Sequence, residues 1–398
     1  MNQSIDITRA RADTPGCGQV LHFNNAGASL MPQAVLEAQV AFLRLEAAIG
    51  GYEAKAQEQE KIEGVYESAA RLINASPDEI AIVENATVAW QLAFASIDWQ
   101  ENDRILTAEA SYASNYLNFL HAQRRYDLDI EVIPSDEYGQ VSVDALRQMM
   151  ATGRRVKLIA LTHMPTNGGL LNPAAGVGQI AREWNVLYLL DACQSVGQVP
   201  VDVEEIGCDL LSTTGRKWLR GPRGTGFLYV RRERLDYFIP PVIDLRSATW
   251  KSREQYELRN DARRFENWET NYAAKVGLGV AIEYALEWGI DNIWQRVVML
   301  GSQLRDKLNQ MAGVTTHDCG QIQGGIVTFS VAGWQATEIQ HNLSAHQINT
   351  STSSPESTLL DAQSRQLPTT VRASLHYYNT EAEIERFCDV LEEIVKGG

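Results

Sequence analysis

The chain of 398 residues is poor in cysteine, in positive charge and in long apolar runs. Its five cysteines, Cys17, Cys193, Cys208, Cys319 and Cys388, are scattered, odd in number and never spaced as a CxxC pair. That argues against a disulfide framework and against a zinc site, so no metal is expected, and it fits a reducing cytoplasm. Lys and Arg number 35 against 50 Asp and Glu, a net charge of −15. Such a chain is a poor candidate for nonspecific binding to nucleic acid or to an anionic membrane. No window approaches the ~20 apolar residues of a membrane span. The first residues, MNQSIDITRARADTPG, lack the basic-then-apolar order of a secretory signal. There is no internal repeat, and the nearest approach to low complexity, TSTSSPEST (350–358), reads as a polar loop.

What is present is ample apolar material, 44% of the residues, with 21% charged. Length alone suggests two or three domains of ~100–200 residues each. Helical periodicity is clear over 32–48 and 60–73. Between 79 and 230, short apolar runs (EIAIVE, DRILTAE, IEVIPS, KLIALTH, VLYLLDA, LLSTT, TGFLYV) alternate with helical or loop segments. This predicts an α/β domain with a mostly parallel central sheet and helices on both faces. TGFLYV, after GPRG, is a candidate antiparallel edge strand. A long helix or helix pair over 275–298 leads to a smaller α+β C-terminal domain. That domain has strand candidates at 324–333 and 370–378 and a final helix capped at Asn379 or Thr380. The expected division is an N-terminal arm (1–20), a large domain (21–270) and a small domain (271–398).

Five segments carry residues suited to chemistry. VLYLLDACQSVG delivers Asp191 at the carboxyl end of a strand, where open α/β sheets place their ligands. An ordinary N-cap is the plainer role for it. TTGRKWLRGPRGTGFLYV brings Thr214, Arg216 and Lys217 off the next strand, 26 positions after Asp191 (217 − 191), which is one strand–helix–strand crossover. A lysine nucleophile, a carboxylate and a phosphate cradle on neighbouring strands are what pyridoxal phosphate needs. Singly, each has a plainer reading, and Lys217 alone would pass for a surface lysine. In IVENATVAW a helix begins near Ala86 and Thr87, a site for phosphate or a simple cap. LTHMPTNGG offers Thr166 or Asn167 to a cofactor ring, with His163 read as structural. TAEASYASNYL offers Tyr112 for stacking.

Taken in order, NNAGAS, ENATVAW, THMPTNGG, LLDACQSVG, TTGRKWLRGPRGTGFLYV, RFENWE and VRASLHYYNT resemble the class-V aminotransferase lineage of fold-type I pyridoxal-phosphate enzymes. This is the branch of cysteine desulfurases, C–S lyases and isopenicillin-epimerase-like proteins. The resemblance spans about 21 to 387 and implies the following roles. Lys217 is the Schiff-base lysine, Asp191 the partner of the pyridinium nitrogen, and Gln194 the neighbour of the phenolic oxygen. Ala86, Thr87, Thr214 and Arg216 contact the phosphate, with Arg216 standing where relatives usually carry histidine. Arg372 clamps the substrate α-carboxylate. Asn25 and Ala28 belong to a segment closing over the substrate. Tyr112 takes the place of a stacking histidine, or donates a proton to a leaving group. A homodimer with active sites near its interface is implied, although RFENWET lacks the usual Gly-Thr that reaches the partner's cofactor. Apart from the resemblance, Arg246, Trp250 and Arg263 are candidates for a second acidic group on the substrate, with plain surface arginines the default explanation.

The loop that carries the nucleophilic cysteine of the desulfurases is here INTSTSSPESTLLDAQSRQLP (348–368), without cysteine. The expectation is therefore a C–S β-lyase acting on a cysteine-derived amino acid through Lys217 and β-elimination, not a persulfide-forming desulfurase. An aminotransferase or epimerase on a small amino acid is the second reading, and a non-catalytic cofactor-binding protein the third.

Overall fold

The structure, a computed structural model, describes residues 5–397. Its main sheet has seven strands: β1 (Ile80–Val83), β2 (Arg104–Ala108), β3 (Asp129–Ile133), β4 (Val156–Thr162), β5 (Leu187–Asp191), β6 (Leu210–Thr214) and β7 (Gly226–Val230). Their order across the sheet is β1-β7-β6-β5-β4-β2-β3. The strands from β6 to β3 are mutually parallel, and β7 is antiparallel to both of its neighbours. Each apolar run expected between 79 and 230 is thus a strand. TGFLYV is antiparallel as the sequence allowed, but it lies one place in from the edge, which β1 occupies. The connection 215–225 is too short for a crossover, so β7 must turn back beside β6.

Both faces of the sheet are apolar because both are covered by helices. Along β5, Tyr188 and Leu190 point into one core and Leu189 into the other, the period-two alternation of a strand. The first core is closed by α2 (Gln59–Ile73), which follows α1 (Gln33–Ile49). The second is closed by α3 (Ala86–Ala95) and α4 (Ala113–Tyr126), through Trp90, Phe94 and Phe119. The first core also takes Leu146 and Met150 of α5 (Val143–Met150) and Ile180 of α6 (Ala174–Glu183). Each such side chain, fully buried, contributes about 1.5–3 kcal/mol.

A hairpin of β8 (Ala248–Ser252) and β9 (Gln255–Leu258) projects with its side chains mostly exposed. The segment 275–298 is a helix pair, α7 (Tyr272–Trp288) and α8 (Ile290–Gln310), broken at Gly289 with φ 78°. Such a φ suits glycine. Helix α7 packs on α1 and α2. A second sheet, antiparallel, has the order β10-β11-β13-β12: β10 (Val314–Thr316), β11 (Ile326–Val331), β12 (Ser351–Ser353) and β13 (Thr370–Ser374). Helices α8, α9 (Ala336–Ala345) and α10 (Glu381–Gly397) cover it. Thr380 is the cap of α10: its hydroxyl accepts from the Glu383 amide at 3.2 Å, and Glu383 accepts from the Thr380 amide at 3.1 Å. The N-terminal segment joins this sheet's side of the molecule, because Leu21–His22 pairs parallel with Ile348–Asn349. No helix among the described residues is long and apolar enough to cross a membrane.

Candidate active site

The parallel strands end on one side of the sheet, and a cavity of about 500 Å³ opens there. Asp191 closes β5 and is 6% exposed. Its carboxylate accepts from the Cys193 amide at 3.0 Å and from Asn115 Nδ2 at 2.7 Å. No helix begins behind it, so the N-cap reading fails; the next helix, Val203–Ile206, is capped by Asp202. Burial raises the Asp191 pKa, while those two hydrogen bonds and the Lys217 charge pull it back. A buried carboxylate without a paired cation is costly, and a protonated ring nitrogen is the kind of partner that offsets it.

Lys217 sits on the loop between β6 and β7. Gly215 is needed where that loop closes: a Cβ there would lie 2.3 Å from the Thr225 hydroxyl. Lys217 Nζ donates to Cys193 Sγ at 3.3 Å. Burial lowers its pKa, and the nearby charges of Arg216 and Arg372 act in the same direction. Burial raises that of the Cys193 thiol. Both groups are thereby pushed toward neutrality.

Helix α3 starts at the cavity rim. Asn85 caps it, accepting from the Val88 amide at 3.0 Å. The Ala86 and Thr87 amides, in the first turn, have no intrahelical acceptor and border the cavity. Gly226 permits this approach: a Cβ on it would lie 2.4 Å from the Thr213 carbonyl and 3.1 Å from Asn85 backbone. Thr214 and Arg216 line the same side, with Arg216 also donating to the Gly27 carbonyl. These donors, the lysine, the aspartate and the cavity's size fit pyridoxal phosphate.

Tyr112 immediately precedes α4 and borders the cavity, 37% exposed. Gln194 is fully engaged: it donates to the Ala26 carbonyl at 3.2 Å and to Thr166 Oγ1 at 3.4 Å, and accepts from Trp218 Nε1 at 2.9 Å. Thr166 also accepts from Arg372 at 2.6 Å. Arg372, on β13, donates to Ser351 at 3.1 Å, and no carboxylate pairs with it among the described residues. Burial pushes its pKa down to about 10.

Three expected residues lie elsewhere. Asn167 turns away and donates to Asp361 at 2.7 Å. Asn25 is fully buried, donating to the Ser374 carbonyl at 2.8 Å and accepting from the Tyr378 hydroxyl. Ala28 spends its carbonyl on His22 Nε2 at 2.9 Å. Its neighbours Ala26 and Gly27 reach Gln194 and Arg216 through their carbonyls instead. His163 is buried against Ser195 at 3.0 Å, in keeping with a structural part. Arg246 pairs with Glu266 and Arg263 with Glu63, while Trp250 is exposed on the hairpin; none of the three borders the cavity. In RFENWET, Glu266 is buried and accepts from Tyr66 and from the Ile82 amide. Two residues that touch the site's aspartate and lysine were given no role by the sequence reading. Asn115 lies one helical turn beyond Tyr112 on α4, and that spacing was the available signal. Cys193 lies two residues beyond Asp191.

The fold and this cavity define a fold-type I pyridoxal-phosphate enzyme, with the α/β architecture and mostly parallel sheet expected of one. The chain belongs to the class-V aminotransferase family, whose profile matches residues 21–387. It is 30% identical to a probable cysteine desulfurase of Pyrococcus abyssi, over 97% of both chains. It superposes on the apo structure of the cysteine desulfurase of Thermococcus onnurineus NA1 with a TM-score of 0.91 and 26% identity, covering 100% of both. The cystine C–S lyase C-DES, solved with its product cysteine persulfide, shares the fold with a TM-score of 0.86 and 24% identity, over 96% of this chain and 99% of that one.

These relatives overturn the expected β-lyase and the exclusion of a desulfurase. The missing loop cysteine removes one place for an acceptor thiol. It leaves untouched the lysine and the aspartate that line the cavity and Arg372 behind Thr166, and the cavity already holds a thiol of its own.

Proposed function

We propose that this enzyme takes sulfur from cysteine, in the manner the names of its relatives describe. The reading is carried by near full-length similarity to cysteine desulfurases at 30% identity. The partly buried, carboxylate-free guanidinium of Arg372 supports an amino-acid substrate. Ala86, Thr87, Thr214 and Arg216 hold the cofactor phosphate, Asp191 its ring nitrogen and Tyr112 its face, and Gln194 reaches its phenolic oxygen by giving up its long contact with Thr166. When bound, the cofactor supplies an electron sink for charge developing at the substrate Cα. Lys217 carries the cofactor and then holds or moves the Cα proton; its lowered pKa keeps a larger share of the amine neutral for that task. Arg372, steadied by Thr166 and Ser351, orients the substrate by its carboxylate.

The reaction needs a thiol to take the sulfur, and Cys193 is the cysteine that lines the cavity. Written out, thiol plus cysteine gives persulfide plus alanine: an S–S bond forms, the Cβ–S bond breaks, and the electron pair left on carbon is taken up with a proton. The test is incubation of the holoenzyme with L-cysteine. Expected are alanine and, after alkylation, persulfide on the peptide bearing Cys193. Lys217→Ala is expected to give neither, and to lack a visible absorbance bleached by borohydride. Pyruvate and ammonia in place of alanine would sink the reading.

The enzyme works in this reading as a homodimer in the cytoplasm, with its active sites near the interface. Exposed apolar side chains on 237–256 support the first point and five free cysteines the second.

A further inference from the structure

We propose that Arg220 is a positioning residue, fastening the segment 24–30, whose carbonyls hold the cavity residues Gln194 and Arg216, to the turn that carries Lys217. The proposal rests on Lys217 being the cofactor lysine. Arg220 closes that turn, its amide donating to the Lys217 carbonyl at 3.0 Å. Its φ of 59° is unusual for a residue with a side chain.

The guanidinium is 2% exposed, and no carboxylate accepts from it among the described residues. Three aromatic faces stand in for an acid, with Tyr378, Tyr377 and Tyr284 centred 4.4, 5.3 and 5.7 Å from the cation. Asp13 reaches Tyr284 instead of the arginine. A charge buried this way is costly for a merely space-filling part. The fork spends its donors on three separate stretches of chain: the Leu30 carbonyl at 2.9 Å, the Tyr377 hydroxyl at 2.6 Å and the Thr14 hydroxyl.

Tyr378 extends the connection. Its hydroxyl donates to Asn25 and accepts from the Leu30 amide at 3.2 Å, so both ends of segment 24–30 are held from behind. The front of that segment meets the site at Ala26 and Gly27 through Gln194 and Arg216, and the Ser29 amide donates to the Arg216 carbonyl at 3.0 Å. Arg220 does not line the cavity, yet it joins segment 24–30, which holds Gln194 and Arg216, to the loop of the lysine.

Arg220→Lys keeps the charge and loses the fork; Tyr378→Phe keeps the ring and cuts the tie to Asn25 and Leu30. Hydrogen exchange of 24–30 is measured with and without bound pyridoxal phosphate, and KM and kcat for L-cysteine with the holoenzyme. Expected in both variants are roughly tenfold faster exchange confined to 24–30 and 215–221, and a KM raised about tenfold with kcat within about threefold. Exchange unchanged in 24–30, or raised evenly across the sheet, overturns the proposal. If Arg220→Lys does not fold, Tyr378→Phe decides by the same criteria. Should wild-type protein leave cysteine untouched, the functional reading fails while the exchange result still judges Arg220.

Discussion

At His163 the fold keeps an imidazole neutral by burial, pushing its pKa down to about 4. His376, packed between Trp218 and the tyrosines and close to Arg220, is lowered as well. The sign follows from proton counting. Below pH ~6.5 the unfolded chain gains a proton at each site that the folded chain refuses, so stability falls with pH until the folded groups also titrate. For His163 the loss runs from about pH 6.5 to about 4 and amounts to ~3 kcal/mol. His163→Gln is expected to flatten the fall of Tm with acid in that window, as read by calorimetry at several pH values. An unchanged slope would show that His163 contributes nothing to acid sensitivity. The residue scale is also where the sequence was hardest to read. Asn25 and Asn167 carry the right chemistry in the right motifs, yet their partners are Ser374, Tyr378 and Asp361, far along the chain. Nothing local says which way such a loop side chain turns. Asp191 and Lys217 were legible because strand ends are: a strand–helix–strand crossover brings their positions together whatever the loops do.

At the scale of elements, the approach of α3 to β7 depends on Gly226. Its φ is ordinary, so only space is at issue. Gly226→Ala is expected to cost ~1–3 kcal/mol by overpacking against two stretches of backbone. It should also weaken cofactor binding, since α3 must back away. Gly153→Ala, away from the cavity, meets nothing within 4 Å but has φ 77°, and should cost only ~1 kcal/mol with binding unchanged. Denaturant melts of the apo protein and a cofactor titration separate the two; equal affinities in both variants would refute the packing argument. The strands of the main sheet could be read from their apolar runs because both faces are buried. The β8–β9 hairpin could not, because its strands are polar, exposed and supported by little besides each other.

For the whole molecule, an acidic chain still presents an apolar band. Leu245 and Trp250 are 74% and 75% exposed, with Ile239, Val242 and Tyr256 beside them in the chain. Water contact on that scale, repeated along one segment, is what association removes. The parent is expected to be a dimer by light scattering, and Leu245→Glu with Trp250→Glu a monomer. A dimer that persists would put the interface elsewhere. The sequence left this stretch open between core and interface, since composition does not distinguish an apolar side chain facing inward from one facing a partner.

The reversed strand β7 has a consequence for the order in which the protein is made. Among the described residues edge strand β1 pairs with no strand but β7, Ile80 opposite Tyr229 and Val83 opposite Gly226. A ribosome delivers the N-terminal part first, so β1 and the start of α3 wait for well over a hundred further residues before the sheet can receive them. An N-terminal fragment ending before 226 lacks the strand that joins β1, and with it the start of α3, to β6. With the cofactor site proposed above, cofactor capture is therefore expected late in the making of this chain.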